Sequence, residues 1–301
     1  MVAAFLLSNF GEAAFEDSSH LNSRGAALGG AVLTLGNDGN APTGNPALLA
    51  TLYRTEIGLT SRLYGADLAG DSILSVTAQA GMPLSNLAGI GASVNALLNT
   101  VNAGGSTRLL YANYLVSIGF GFSLTRFIQV GGSLHARGSY TDPVLTGLQT
   151  FQTPLEFNAT LGIFTSPFNG LAISLVASRF LGNLVPPQAG GSFRPDNQAA
   201  PAIQAAVGTR NRFFIGELGA EYLLNEQKVA FNAGLEKYFF KELFRVSAGV
   251  RVAGLNFEVT PSVGIGLQLG IFDFAYTFAY PLSGAIMAGN HLASVIFALR
   301  R

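Results

Sequence analysis

The 301-residue sequence has no cysteine and no tryptophan. Without cysteine there are no disulfides, no thiolate nucleophile, no iron–sulfur ligation and no cysteine-type zinc site. Histidine is nearly absent as well. His20, His135 and His291 lie far apart in the chain, so no metal site is expected, and no cofactor. Charge is scarce: 11% of residues are Asp, Glu, Lys or Arg, against about 25% in ordinary globular chains. Basic and acidic residues balance at 17 each, so no net field favours nucleic acid, and that partner is excluded. The best candidates for spanning helices, 109–125 and 274–290, are uncharged but broken by Asn, Ser, Gly or Pro, which argues against that reading. What is abundant is Gly (37) and Phe (23), at a mean hydropathy of +0.38. That apolar surface must lie somewhere other than water.

The spacing of the few charges says where. In residues 244–252, Phe244, Val246, Ala248, Val250 and Val252 alternate with Arg245, Ser247, Gly249 and Arg251, which puts every apolar side chain on one face of a strand. On a helix the two arginines would project roughly 240° apart, exposing lipid to a charge at about 2.5–3.5 kcal/mol each. Similar dyads run through 74–82, 90–96, 116–124, 128–137 and 155–163, and through later stretches near 171–180, 211–224, 227–238, 257–270, 271–280 and 290–300, with an early one near 55–64. About thirteen runs of 10–15 residues have the length of tilted membrane-crossing strands. The fold class read from them is all-β: a transmembrane, antiparallel, up-and-down β-barrel of about 14 strands, with 12 as the alternative, in the bacterial outer membrane. The missing strand is expected between 98 and 112 or just before Thr55.

Turn chemistry gives the register independently. A two-residue turn at Lys241-Glu242 places Tyr238 opposite Arg245 and Asn232 opposite Arg251, all on the polar face. A three-residue loop at Thr125-Arg126-Phe127 brings Ser123 into phase with Gln129. Tyr64, Tyr140, Tyr222, Tyr238 and Tyr280 near strand ends are expected to form an aromatic girdle. Inward positions then include Glu56, Arg62, His135, Arg137, Glu156, Glu217, Glu221, Glu236, Arg245, Arg251 and Asp273. Their mixed signs read either as an internal ion-pair network or as the lining of a polar path. Ser133 and His135 share this face, but no carboxylate can be assigned to orient the imidazole, so no catalytic residue is expected and the chain is read as a non-enzyme.

Two regions escape the alternation. Residues 181–211 carry Pro186, Pro187, Pro195 and Pro201 with a Gly-Gly pair, and are read as a long surface loop. Residues 1–52 form a separate N-terminal segment ahead of a barrel over 53–301. Its first 14 residues are either a signal remnant, apolar with the small-x-small pattern Gly11-Glu12-Ala13 but no basic start, or a short helix that stays.

Within 23–50 the chain runs Ser23-Arg24-Gly25-Ala26-Ala27-Leu28-Gly29-Gly30-Ala31, then Asn37-Asp38-Gly39-Asn40-Ala41-Pro42, then Asn45-Pro46-Ala47. This resembles the start of the FadL/PorV superfamily of outer-membrane barrels. Phe272-Asp273-Phe274-Ala275-Tyr276 and Asn290-His291 are similar to the final strands of PorV-type members. The resemblance implies an N-terminal plug inside the barrel, with Arg24, Gly29, Gly30, Asp38, Asn45 and Pro46 as its motif residues. The chain departs from that pattern at its end, Phe297-Ala298-Leu299-Arg300-Arg301, where an aromatic assembly signal is usual.

Function divides accordingly. The Asp38 turn and Asp273 strand lean toward a PorV-like accessory or assembly barrel that binds protein partners, for instance in secretion. The alternative is a FadL-like channel for uptake of hydrophobic small molecules, and a structural surface barrel is the third reading. In each case membrane lipid is a partner. Contact surfaces for proteins are expected at 181–211 or at a lipid-facing patch of Phe272, Phe274 and Phe278.

Overall fold

The computed structural model describes residues 22–35, 38–64, 72–103, 106–141, 156–168, 170–180, 201–211, 214–224, 227–240, 242–253, 258–282 and 289–299. A short helix α1 (Ser23–Ala27) and a 3₁₀ turn (Pro46–Thr51) precede fourteen strands: β1 (Thr55–Tyr64), β2 (Ser72–Pro83), β3 (Ala88–Ala103), β4 (Ser106–Ser123), β5 (Ile128–Thr141), β6 (Glu156–Phe168), β7 (Leu171–Ser178), β8 (Ala202–Arg210), β9 (Ile215–Leu223), β10 (Lys228–Phe239), β11 (Phe244–Ala253), β12 (Glu258–Leu269), β13 (Phe272–Ala279) and β14 (Asn290–Leu299). Each pairs with its sequence neighbours, and β1 closes on β14 with Thr55 opposite Leu299. A closed barrel leaves no sheet edge unpaired.

The expected register holds at both tested hairpins. Tyr238 faces Arg245 and Asn232 faces Arg251 across β10–β11. Ser123 faces Gln129 across β4–β5, and the Leu124 N–H donates to the Ile128 carbonyl. The fourteenth strand lies neither between 98 and 112 nor just before Thr55, but at β8. β8 lies inside the region read as a loop, which corrects the 181–211 assignment over 202–210; residues 181–200 lie outside the described residues. The signal in β8 is weak because Ala202, Ala205 and Ala206 carry little hydrophobic contrast, so only Ile203 and Val207 mark the outward face.

Side chains sort by face as the alternation requires. Leu218, Leu134, Val263, Ile118 and Phe231 are all more than half exposed, and such a continuous apolar exterior is stable only in lipid. Ser75, Thr77, Gln79, Ser93, Asn95, Ser117 and Ser133 on β2 to β5 are buried on the inner face. Tyr222 and Tyr280 are exposed toward one end, and Tyr53, Phe127, Phe168, Phe214 and Phe240 toward the other, which carries the short turns. Tyr238 departs from the girdle expectation. Lying two residues beyond inward Glu236, it shares that parity, and its hydroxyl stands 3.5 Å from Arg24 Nη2. The side chains of Tyr64 and Tyr140 lie outside the described set.

Candidate functional site

Residues 22–35 and 38–52 occupy the lumen. α1 is too short to be stable alone and is held by its cap, since the Asn22 side-chain oxygen accepts from Gly25 N at 2.6 Å. The 3₁₀ turn begins the same way. Asn45 Oδ1 accepts from Ala47 N at 3.1 Å, and Pro46 at the first helical position gives up no needed donor. The two pieces face opposite arcs of the wall: α1 lies against β11 to β14 and the 3₁₀ turn against β2 to β6.

Glycines on the wall make this approach feasible. A Cβ at Gly121 would stand 2.6 Å from Ala50 N, and one at Gly264 2.5 Å from the Ala27 Cβ. At Gly131 and Gly249 it would land on the backbone of Pro46–Ala47 and Leu28–Gly29. Gly29 itself is doubly constrained: its φ is +64°, and a Cβ would meet Val250 N at 2.5 Å. Gly30 follows at φ +87°. Apolar contacts then fill the interface, with Leu28, Leu48 and Leu49 at 0–1% exposure and Ala47, Leu52 and Phe164 in one cluster.

Polar pairs fix the orientation. Arg24 donates to Glu236 from Nη2 (2.8 Å) and Nε (3.1 and 3.2 Å), and Glu236 also accepts from Ser247 Oγ at 3.0 Å. Arg245 lies 3.8 Å from Glu236 and donates to Asp273 at 2.6 Å. Burial alone would lower the Arg24 pKa, but the Glu236 carboxylate together with Tyr238 and Asp38 outweighs it and holds the guanidinium above its already high value. Glu217 accepts from Leu33 N (2.9 Å), Thr34 N (2.7 Å) and Thr34 Oγ1 (2.5 Å), so one carboxylate satisfies three donors of the interior segment. Asn45 Nδ2 bridges Leu33 O and Ser174 Oγ, both at 3.0 Å. Asp38 accepts from Asn22 Nδ2 and Asn40 N, both at 2.9 Å. Burial pushes its carboxyl above the usual range, against the opposing pull of the Asn40 N–H and of Arg24.

Nearer the long-loop end a second group forms. Arg179 and Arg251 both reach Glu221, at 2.8 and 3.5 Å, and Gln204 donates to the same carboxylate at 2.9 Å. His135 stands among hydroxyls: Nδ1 is 2.8 Å from Ser117 Oγ, and Nε2 is 3.1 Å from Ser133 Oγ and 3.0 Å from Thr160 Oγ1. A serine hydroxyl thus faces Nδ1 where an orienting carboxylate would stand in a triad. Arg62 is buried on the inner face of β1, and Arg137 faces inward on β5, opposite Glu156 in register; the Glu156 side chain lies outside the described set.

Sequence reasoning did not single out Arg179, Thr34 or Asn22. Asn22 carries a readable signal, an Asn three residues before Gly25 at a helix start. Arg179 carries none, because its inward course depends on a backbone φ of +62°.

A recess between Asn22, Arg24, Gly25, Leu28, Val32, Leu35 and Asp38 encloses about 160 Å³, counting the solvent it opens to. That is below the ~300–1,000 Å³ of a small-molecule site.

No protein-family model matches the sequence, and no curated protein is similar to it. Solved structures do match. A monoaromatic hydrocarbon channel, CymD, superposes with a TM-score of 0.67 at 10% identity, over 95% of this chain and 98% of that one. The Pseudomonas putida toluene transporter TodX gives 0.60 at 11% identity over 92% and 96%, and a Pseudomonas aeruginosa FadL homologue 0.58 at 11% over 92% and 95%. The barrel with its threaded lumen thus has the fold of FadL-type outer-membrane channels.

Proposed function

We propose that this protein is an outer-membrane channel for small hydrophobic molecules whose lumen is plugged on its periplasmic side by residues 22–52. The supporting observation is the interior segment itself: its leucines are buried against wall glycines around the barrel, an arrangement unsuited to a water-filled pore and suited to retaining apolar solutes. Orientation follows from the short turns, which lie periplasmically in such barrels. The likeness to a toluene transporter and a monoaromatic hydrocarbon channel favours this reading over the accessory barrel that the sequence leaned toward.

Toluene crosses plain bilayers unaided, so the test needs a lipopolysaccharide leaflet. Cells lacking their own hydrocarbon channel should take up dilute labelled toluene several-fold faster when this protein is in their outer membrane. Equal rates with and without it would refute the proposal.

A further inference from the structure

Four buried polar atoms near the long-loop end of β6 and β7 have no hydrogen-bond partner among the described residues: Asn158 Oδ1, Ser178 Oγ, and Nε and Nη1 of Arg179. Asn158 and Ser178 are each 8% exposed. They are neighbours by register. Leu161 pairs with Ala177, so Thr160 and Ser178 come next, and the Phe180 N–H still donates to the Ala159 carbonyl at 3.3 Å. One inner position beyond Thr160 on β6 is Asn158, which stands opposite His135 on β5. Alternation would send Arg179 outward into lipid. Its φ of +62° instead turns the side chain inward, where Nη2 meets Glu221, a backbone state uncommon for a residue with a long side chain. The group lies beyond Ser174, which contacts Asn45 of the interior segment, on the side away from the plug.

Buried polar groups are ordinarily satisfied, and leaving them bare is costly. The unsatisfied set here is mixed: two N–H-bearing nitrogens, one amide oxygen and one hydroxyl. Glu221 already faces the Arg179 guanidinium at 2.8 Å and that of Arg251 at 3.5 Å, and a carboxylate entering would face both Glu221 and the Asn158 oxygen. A plain hydrocarbon would leave all four groups unsatisfied. A neutral hydroxyl accepts from Arg179 and donates to Asn158.

We infer that Asn158, Ser178 and Arg179 form a subsite for the hydroxyl group of a neutral, hydroxylated small apolar molecule, a phenol or alcohol, on its way through the lumen. The inference rests on the channel reading and names the substrate class that the channel favours.

Toluene, p-cresol and p-toluate share a methylated ring and differ at one group, which makes them the probes. Binding to the full chain in nanodiscs, corrected against protein-free nanodiscs, should be about tenfold tighter for p-cresol than for toluene, the ratio expected for about 1.4 kcal/mol from hydrogen bonding. p-Toluate should bind no tighter than p-cresol. Asn158→Leu, which removes the acceptor of the ligand hydroxyl, should remove most of the p-cresol preference; Ser178→Ala, which removes a flanking hydroxyl, should reduce it; toluene binding should stay unchanged in both. Arg179 is left intact because it also braces Glu221. Equal binding of p-cresol and toluene would mean that water alone satisfies these groups; tighter p-toluate would mean an anion site; a preference surviving both variants would place the hydroxyl elsewhere. Each overturns the inference. Cellular toluene uptake without a p-cresol preference sinks this subsite and spares the channel, whereas tight p-cresol binding without uptake does the reverse.

Discussion

The Arg24–Glu236 pair offers a quantitative handle on how firmly the interior segment is seated. Replacing Glu236 with Ala removes the acceptor of three N–H···O contacts of 2.8–3.2 Å and leaves a guanidinium inside the barrel without its carboxylate. Breaking one side of a buried pair costs about 3–5 kcal/mol. The lower end applies, because the Arg24 side chain keeps 16% exposure and neighbours at Leu35 O and Tyr238. About 3 kcal/mol raises the population of transiently opened segment on the order of 100-fold. The chain has no cysteine, so a single Ala26→Cys probe, at a site 4% exposed, reports opening through maleimide labelling. Labelling should be slow in Ala26→Cys alone and on the order of 100-fold faster with Glu236→Ala. Adding Arg24→Met to Glu236→Leu removes both charges and should restore most of the protection. Labelling changed less than about threefold by Glu236→Ala would refute the argument that this pair seats the segment.

Three further outcomes are expected. Gly131→Val places a side chain on the Pro46–Ala47 backbone and should unseat the 3₁₀ turn, read as new openings in planar bilayers while the barrel still resists unfolding by detergent at room temperature. Leu134→Arg, at an outward position 64% exposed, should cost about 2–4 kcal/mol if it lies near the bilayer midplane, seen as a lower yield of heat-modifiable folded barrel. Asp38 has a folded-state pKa raised by burial, so its contribution to stability is fully present below the ordinary carboxylate value of about 3.9 and is lost as pH rises through the raised value. The melting temperature of wild type by circular dichroism, relative to Asp38→Asn, should fall across that interval, and a flat difference would contradict the assignment.

Much of this architecture was legible because a barrel writes itself as a two-residue period, and a wrong register would turn Arg245 and Arg251 outward into lipid. β11 is the plainest case: its two arginines, one serine and one glycine mark the inner face without reference to pairing. β8 was illegible for the converse reason. Its inward residues are Ala202, Gln204, Ala206 and Gly208, small enough that period 2 hardly shows, and the preceding prolines favoured a loop reading. At the site, charges on strands could be placed inside by parity, but their partners could not. Parity puts Glu217 and Glu236 in the lumen without revealing that Thr34 meets the first and Arg24 the second, contacts more than 180 residues apart in sequence. Arg179 escaped altogether, since a left-handed residue at a strand end reverses the alternation that every other inference used.

The central claim is that the lumen is closed to ions by its own N-terminal segment while apolar solutes are handled. The most direct measurement is conductance of the purified full chain in planar bilayers, compared with a chain lacking residues 22–52. Long silent recordings from the full chain, with large openings appearing on removal of the segment, are what the seated leucines and the Arg24–Glu236 and Thr34–Glu217 pairs predict. Stable, large, ion-selective openings from the full chain would contradict it.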